Sequence, residues 1–577
     1  MITDIQTLAD DMVFDVVVVG SGAAGMAAAA FAAIAGHSVL LLERTEFLGG
    51  TSALSGATTW APNSQHAAKV APPGSPDADS LDKARGFLDG VVGNRSPADL
   101  REAFLRSAPE AIATLEAQSD LHFRPYATHP DYEQDFEGAT MRGRALEPVP
   151  FDGRALGSAL NLLRPPIPEF TLFNGMMIDR TDINHLLNLG KSFASFRHSA
   201  GIIGRYALDR LRGRRGARLV MGNALIGRLL LTLQRRQVSI VLRCSVADFI
   251  TGARGVEGVV LNSQGATRRI RATHGVVLAA GGFNRHAARR AAMLPQPTPD
   301  YSPAAPGHTG EMQDLALKLG AHFGDDTFEN AFWAPVSVRT RADGSTAVFP
   351  HFVLDRSKPG TVCVNQAGVR FVNESTSYHL FGRAMFEANK ISPCIPCFMI
   401  TDAVGLKKYG LGMVRMGASN LKPYLADGYL IEGATVAELA GKLNVPAAAL
   451  EQTIAAMNDY ARTGVDPEFQ RGRTPYHRVN GDATRGGPNP TLGPIATAPF
   501  YAVKLYPGDI GASAGLVVDA DAQVLGADNQ PIGGLYAVGN DANSIMGGTY
   551  PGPGITIGPA ITFAYRAMRH ALAGDGG

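Results

Sequence analysis

Val16-Val17-Val18-Val19-Gly20-Ser21-Gly22-Ala23-Ala24-Gly25 decides how this chain is read. Four consecutive β-branched residues run into three glycines spaced G-x-G-x-x-G. An alanine-rich segment follows from Met26 to Ala35, then Gly36, then a second apolar run from Ser38 to Leu42 that ends at Glu43. That order predicts strand, tight turn, helix, strand: the opening βαβ unit of a Rossmann-like dinucleotide-binding domain. Gly20 permits the sharp turn, Gly22 lets the backbone approach a pyrophosphate, and Gly25 lets helix and strand pack closely. Ala23 and Ala24 open the helix, whose free N–H groups and partial positive charge favour phosphates.

Seventeen residues separate Gly25 from Glu43. A carboxylate there, with Arg44 beside it, ends the second strand and can accept both ribose hydroxyls. Gly49, Gly50, Thr51, Ser52, Ser55 and Gly56 follow. A second glycine pair lets another loop approach the same cofactor, near its phosphates and flavin end. That extension is the pattern of FAD enzymes rather than of plain NAD dehydrogenases. Val238–Leu242, Val246–Ile250 and Val256–Leu261 read as strands, and His274–Gly282 as a buried strand ending in a glycine pair. Near the C-terminus, Gly534–Asp541 is a strand ending in Gly539 and Asn540, and Tyr550–Gly558 leads into a closing helix, Pro559–Leu572. Val246, Ala280, Gly281, Gly539, Asn540, Gly554 and Ile555 complete the positions expected at the cofactor.

At 577 residues the chain can hold two or three domains and a large core. Its 53 Lys and Arg nearly cancel 52 Asp and Glu, which argues against bulk nucleic-acid binding. Cys394 and Cys397 form a C-x-x-C inside an apolar run and read as buried thiols rather than a redox pair. One such pair cannot build a four-ligand zinc site alone, so no metal is expected. Few cysteines fit a reducing compartment. The opening residues MITDIQTLADD are acidic and lack the apolar core of a secretory signal, and no segment has 18 uninterrupted apolar residues. The expected location is cytoplasmic.

Between the FAD-type segments the chain changes character. Residues 65–98 are rich in Pro, Ala, Asp and Ser and read as surface loop; residues 99–120 carry apolar positions at helical spacing; residues 121–170 lose any period. In 185–235 an apolar stretch, Leu186–Ile203, is followed by Arg205, Arg210, Arg212, Arg214, Arg215 and Arg218, then by apolar Leu225–Leu233. A basic cluster beside apolar helices can lie on an anionic membrane surface, or can be a solvated helix end packed on its own domain. Residues 326–498 mix short strands with amphipathic helices. The expected fold class is α/β: an FAD-binding domain at 1–325 and 499–577, with an inserted α+β catalytic (cap) domain at 326–498.

Four pieces carry a resemblance. They are GSGAAG with ERTEFLGGTSALSG near the start, GVRFVNESTSY at 368–378, FYAVKLYPGDIGASAGLVVD at 500–519, and GLYAVGNDANSIMGGTYPGPGITIGPAITFAYRA at 534–567. The chain resembles the 3-ketosteroid Δ1-dehydrogenases (3-oxosteroid 1-dehydrogenases) within the fumarate-reductase-like FAD flavoproteins, TYPGPG being the piece most like that branch. The resemblance implies C1–C2 desaturation of a 3-oxosteroid, with C1 hydride passing to flavin N5 and electrons leaving to an external, quinone-like or other, acceptor. If 185–235 touches a membrane, a long-tailed sterone becomes a natural substrate. The sequence departs from the pattern at Gly511-Ala512-Ser513-Ala514-Gly515, at Gly310-Glu311-Met312, and at Asn540, where many flavoproteins carry aspartate.

Making a C=C beside a ketone requires a polarised carbonyl, a base for the α-proton and a hydride acceptor. By this resemblance Tyr550 and the Gly554 N–H hold the carbonyl oxygen, and Tyr378 is the base. A tyrosine titrates near pKa ~10, so the base needs help. Tyr132 is the expected helper and Tyr126 its rival. The alternatives are a 3-oxo-5α-steroid 4-dehydrogenase, a fumarate-type reductase using Arg370, Arg383, His308 or His379, and an electron-transfer subunit. Cys397 is followed by Phe398, so no C-x-x-C-H haem relay is expected. Gly20-Ser21-Gly22 is not the G-x-S-x-G of a hydrolase.

Overall fold

Strand Met12–Val19 lies inside an 8-stranded sheet, between Ala266–Leu278 and Val39–Leu42, and is parallel to both. The register sets Val19 against both Leu42 and Leu278, so the turn after Val19 opens at the carboxyl edge of the sheet. That edge is where open parallel sheets bind ligands. Ser239–Val241 continues the sheet beyond Val39–Leu42, and Pro531–Ala537 continues it beyond Ala266–Leu278, again in parallel. Val16–Val19 and Val39–Leu42 are buried throughout, which is why their sequence is an unbroken apolar run. Gly20 has φ +110°, and a Cβ there would lie 2.2 Å from the Ala279 carbonyl oxygen. Only glycine fits that turn. Helix Ala23–Ile34 packs against helices Ile557–Ala571 and Met221–Arg235, and its run of alanines lets three helices meet closely. The computed structural model describes residues 2–213, 215–263, 265–324 and 327–573.

A second, antiparallel sheet has the order Thr346–Pro350, Ala331–Thr340, Phe500–Ala512, Cys397–Asp402, Thr361–Val364, with Ile431–Gly433 also pairing with Phe500–Ala512. The expected boundary between 498 and 499 falls just before Phe500–Ala512, yet that strand sits inside this sheet. The second sheet therefore extends to Ala512. Pairing partners, not composition, decide where such a strand belongs. The expected boundary at 325/326 lies outside the described residues. Cys394 and Cys397 are buried and free.

Two further expectations are corrected. Residues 65–98 are not all surface loop: Leu81–Val92 is a helix whose Ala84, Phe87, Leu88, Val91 and Val92 are buried. Those five positions follow helical spacing; the Pro/Asp-rich residues ahead of them hide it. Ser80 caps the helix by accepting from the Lys83 N–H at 3.1 Å. The second correction concerns 185–235. Helix Met221–Arg235 is core, with Leu225, Ile226, Leu229, Leu230 and Leu233 fully buried, so it cannot meet a membrane. Arg215 donates to the Leu163 carbonyl at 2.9 Å, and Arg218 pairs with Asp182 at 2.8 Å. Arg205 pairs with Asp152 at 2.9 Å. Arg214 lies outside the described residues.

Candidate active site

One cavity of about 560 Å³ begins at the Gly20–Gly22 turn and ends among three tyrosines. Most positions expected at the cofactor line it: Gly20, Gly22, Ala23, Ala24, Glu43, Arg44, Gly50, Thr51, Ser52, Ser55, Gly56, Val246, Ala280, Gly281, Gly539, Asn540 and Gly554. Gly25, Gly49 and Ile555 lie outside the lining. Gly25 packs on Gly20, Gly49 on Ala53 and Ile226, and Ile555 is buried in the core. Glu43 is already engaged: Thr45 donates its N–H and its hydroxyl at 2.8 Å each, and Ser21 donates its N–H at 3.3 Å and its hydroxyl. Four donors fill a carboxylate's acceptor positions, so a ribose must share or displace one. Arg44 is held by Glu311 and by Thr309, at 3.1 Å from the latter.

Two further residues join this cradle: His308, named from the sequence only for a reductase, and Asp541, the neighbour of Asn540. His308 lines the cavity with Nε2 3.2 Å from Thr51 Oγ1, while its buried Nδ1 has no partner among the described residues. Burial, aided by Arg285 and Arg164, pulls its pKa down to about 3, so it is a neutral polar group left for a ligand. Asp541 accepts from the N–H groups of Ala280 and Gly282, the latter at 2.9 Å, and fixes the loop after strand Ala266–Leu278. Burial lifts its pKa to about 6 against those N–H bonds. The glycine turn, the second glycine loop and a buried imidazole with one unpartnered nitrogen among the described residues, all around one cavity, fit an extended dinucleotide.

At the other end the chain brings Tyr378, Tyr132 and Tyr550 together from three distant segments. The Tyr132 and Tyr378 hydroxyls are 3.4 Å apart. Tyr550 stacks on Tyr132 at 5.8 Å between centroids and meets Tyr378 edge-on at 5.1 Å. Tyr126, the rival, also lines the cavity, but its hydroxyl faces Thr58 Oγ1 at 3.3 Å. Tyr476, which nothing in its Pro/Gly-rich surroundings marks, packs on Tyr132 at 4.9 Å, and its buried hydroxyl has no partner among the described residues. Burial first, then the neighbouring phenols, raises the pKa of Tyr378 and of Tyr132 well above the usual phenol value; burial also raises Tyr550. All three stand protonated. The Gly554 N–H donates to no protein acceptor among the described residues, while its carbonyl accepts from Trp60 at 3.2 Å. Gly554 has φ +89°, and a Cβ there would lie 2.3 Å from the Thr58 carbonyl oxygen.

Buried ionic networks hold these pieces in place. Trp60 Nε1–H donates to Asp131 at 2.8 Å, Arg144 pairs with Asp131 at 2.8 Å and with Asp79 at 2.7 Å, and the Tyr132 N–H donates to the Pro551 carbonyl at 2.7 Å. The Tyr132 loop and the 550–554 loop are thereby locked to one another. Tyr378 is the first residue of helix Tyr378–Asn389, capped by Ser377. Before it, Glu374 takes Arg370 at 2.9 Å and Arg471 at 3.1 Å, and Arg370 also holds Asp466 at 2.9 Å. Arg356 adds donations to the carbonyls of Glu374 at 2.8 Å and Phe352. The polar residues of GVRFVNESTSY therefore anchor Tyr378. Arg370 and Arg383, the latter 3.0 Å from Glu329, are both paired and neither lines the cavity.

The FAD binding domain family matches residues 15–557. The 4-oxocyclohex-2-ene-1-carboxylate 5-dehydrogenase of Sinomonas cyclohexanicum is 36% identical over 96% of this chain and 93% of its own. The 3-oxosteroid 1-dehydrogenase of Mycolicibacterium smegmatis is 35% identical over 96% of each. The crystal structure of 3-ketosteroid delta1-dehydrogenase from Sterolibacterium denitrificans in complex with 1,4-androstadiene-3,17-dione superposes with a TM-score of 0.90 at 35% identity, covering 97% of this chain and 100% of that one. With a Rossmann-like sheet, a second sheet over it and a dinucleotide cradle between, the chain belongs to the FAD-binding flavoproteins that include the 3-oxosteroid 1-dehydrogenases, and it is an FAD-dependent oxidoreductase.

Proposed function

We propose that the protein desaturates C1–C2 of a 3-oxosteroid. The observation that carries this is the meeting of Tyr378, Tyr132 and Tyr550 beside the free Gly554 N–H, at the end of the cavity that begins at the dinucleotide turn. The Tyr550 hydroxyl and the Gly554 N–H donate to the C3 oxygen and stabilise the charge that develops there. Tyr378 takes the C2 proton. Because burial holds it protonated, its own proton must leave first, and Tyr132, 3.4 Å away and itself protonated, can relay that proton only by releasing its own to solvent hydroxide as it takes up the one from Tyr378. Bound FAD supplies the acceptor for the hydride leaving C1. Gly20, Gly22, Gly50, Thr51, His308, Gly281 and Gly539 hold that cofactor along the cavity. Uncharged phenols suit a neutral ketone, whereas a reductase of unsaturated acids would need free arginines next to Tyr378.

The Sinomonas relative, equally similar, supports a second reading of the same chemistry on a smaller ring ketone. Anaerobic mixing of oxidised holoenzyme with 3-oxo-4-ene steroids tests the first. Flavin bleaching with a 1,4-diene product is expected. No bleaching by any steroid or ring ketone, with reoxidation of the reduced enzyme by an unsaturated acid, would overturn both.

Peripheral membrane contact is proposed through helices Arg180–Leu187 and Phe193–Arg212 alone. Phe193 is 80% and Leu211 83% exposed, with Phe196 and Leu208 also exposed and Arg197 and Arg212 among them. Ile183, on the first of these helices, lines the cavity, so an apolar substrate and a quinone-like acceptor could reach it from a bilayer. Among the described residues no helix is long and apolar enough to cross a membrane. Flotation of the holoenzyme with anionic vesicles is expected, and should fail for the double variant Phe193→Glu, Leu211→Glu; equal flotation of both would refute the contact.

A further inference from the structure

Besides the tyrosines, the cavity wall has an apolar part built by Phe170, Ile178, Ile183, Phe352, Val353 and Leu354. One corner is polar. Arg180 carries its guanidinium carbon 5.4 Å from the centroid of the Tyr126 ring, and His129 meets the same ring edge-on at 4.8 Å. All three side chains line the cavity. Neither the Arg180 guanidinium nor the His129 imidazole has a hydrogen-bond or carboxylate partner among the described residues.

The carboxylates nearby are taken by other cations. Arg124 holds Glu147 at 2.8 Å and Asp179 at 3.4 Å. Arg218 holds Asp182 at 2.8 Å and reaches Asp179 at 3.8 Å, and His198 also faces Asp182 at 2.8 Å. Glu147 and Asp179 line the cavity too, each already paired, and Arg180, exposed and in contact with neither, presents its guanidinium to the same cavity. A pocket that is apolar except for a few convergent polar groups uses those groups to select and orient its ligand. A guanidinium fork matches a carboxylate in two parallel hydrogen bonds. His129, which burial keeps neutral, adds one N–H donor.

The corner also has a fixed relation to the carbonyl end. The Thr58 backbone abuts Gly554, and its hydroxyl is 3.3 Å from that of Tyr126, whose ring lies under Arg180. One threonine and one tyrosine side chain therefore separate the two ends. We propose that Arg180 and His129 form a subsite for a carboxylate on the part of the substrate opposite its carbonyl, so that the preferred substrate is an oxo acid. The proposal rests on reading Tyr550 and Gly554 as the carbonyl end.

The test compares a 3-oxo-4-ene steroid bearing a carboxylate-terminated C17 side chain with its methyl ester, on wild-type, R180Q and R180K holoenzyme. Wild type should prefer the acid. The acid-to-ester ratio of kcat/KM should fall at least tenfold in R180Q, through KM, and recover in part in R180K, which keeps the charge but not the fork. An unchanged ratio in R180Q overturns the proposal and leaves desaturation standing. If wild type bleaches with neither compound, the desaturation reading fails, and equilibrium dialysis of the acid against oxidised enzyme decides the subsite. Weaker binding to R180Q than to wild type sustains the anion site; equal binding overturns it.

Discussion

Replacing Tyr378 by Phe removes one oxygen and leaves a ring. The ring's contacts with Phe352 at 5.1 Å, Tyr550 at 5.1 Å and Tyr132 at 5.5 Å survive, so its packing energy is kept. The hydroxyl's hydrogen bond with Tyr132 is long at 3.4 Å, and the Tyr550 hydroxyl is its other partner. Losing such a bond costs at most about 1 kcal/mol, which in a chain of this size moves Tm by no more than about 2–4 °C. A general base contributes about 10²–10⁴ in rate, or about 2.7–5.4 kcal/mol of barrier. The two effects differ enough to separate. Y378F should fold, retain FAD and melt almost with wild type, while the rate of flavin bleaching by a 3-oxosteroid under anaerobic rapid mixing falls at least a hundredfold. Burial and the neighbouring phenols raise the pKa of Tyr378 above the usual value, so the wild-type rate should also climb with pH through the alkaline range, and the variant should lose that climb. A Y378F enzyme that bleaches within about threefold of the wild-type rate would refute the base role. Tyr378 would then be one more wall of the aromatic cluster.

Gly554→Ala forces a side chain into a left-handed backbone and against the Thr58 carbonyl oxygen, 2.3 Å from the new Cβ. The conformation costs about 1–2 kcal/mol and the overpacking about 1–3 kcal/mol. Thermal melting should drop by several degrees, and turnover should fall by up to about 10²–10³-fold, the cost of one misplaced oxyanion donor; unchanged turnover despite the lowered melting point would show that the position of this loop does not limit the reaction. Asp541→Asn leaves one acceptor oxygen where two N–H groups now donate, so FAD should be lost on dilution faster than from wild type. Burial raises Asp541 from 3.8 to about 6 in the fold, so its share of stability is present below pH 3.8 and is lost as pH rises through 6, an effect of up to about 3 kcal/mol. The Tm deficit of D541N should therefore shrink between pH 5 and pH 8, and a deficit that grows over that range would contradict the assignment.

The nucleotide end was legible because its chemistry is backbone chemistry. Gly20, Gly22 and Gly25 stand in one local run, and no other residue would satisfy a turn whose Cβ falls 2.2 Å from a carbonyl oxygen. Strands buried on both faces also announce themselves as apolar runs, as Val16–Val19 and Val39–Leu42 do. What stayed hidden depends on contacts distant in sequence. Phe500–Ala512 looks like any amphipathic strand, and only its pairing with Ala331–Thr340 and Cys397–Asp402 places it in the second sheet. Leu225–Leu233 reads the same on a membrane or in a core until its neighbours are known. His308 matters through its place on the cavity wall beside Thr51, and Tyr476, outside that wall, through its packing on Tyr132. Asp131 and Arg144 were within reach, since a carboxylate beside Tyr132 and an arginine thirteen residues on both sit in a stretch without helical or strand period. Charged residues in such a stretch are usually solvated, and burial of this pair is evident only in three dimensions.

The distribution of charge ties these observations together. The two ionic clusters that brace the segments carrying Tyr132 and Tyr378 lie outside the cavity lining. Arg144 sits between Asp79 and Asp131, and Arg370 and Arg471 surround Glu374, all buried and all mutually paired. Such networks cost desolvation and are retained where they fix geometry. Here each fixes the segment that carries a tyrosine: Asp131 precedes Tyr132, and Glu374 lies four residues before Tyr378. The front of the cavity, by contrast, offers phenols and one backbone N–H. A reacting carbonyl that becomes negative only in the transition state gains most from donors of that kind, which gain little from a neutral ground state. Had Arg370 faced the cavity, it would have bound carboxylates and trapped the ionised product of proton removal. The fold keeps Arg370 and Arg383 paired and out of the cavity, and Arg180, set apart from Gly554 by Thr58 and Tyr126, has no carboxylate partner among the described residues, so its permanent charge can orient a substrate without perturbing the proton transfer.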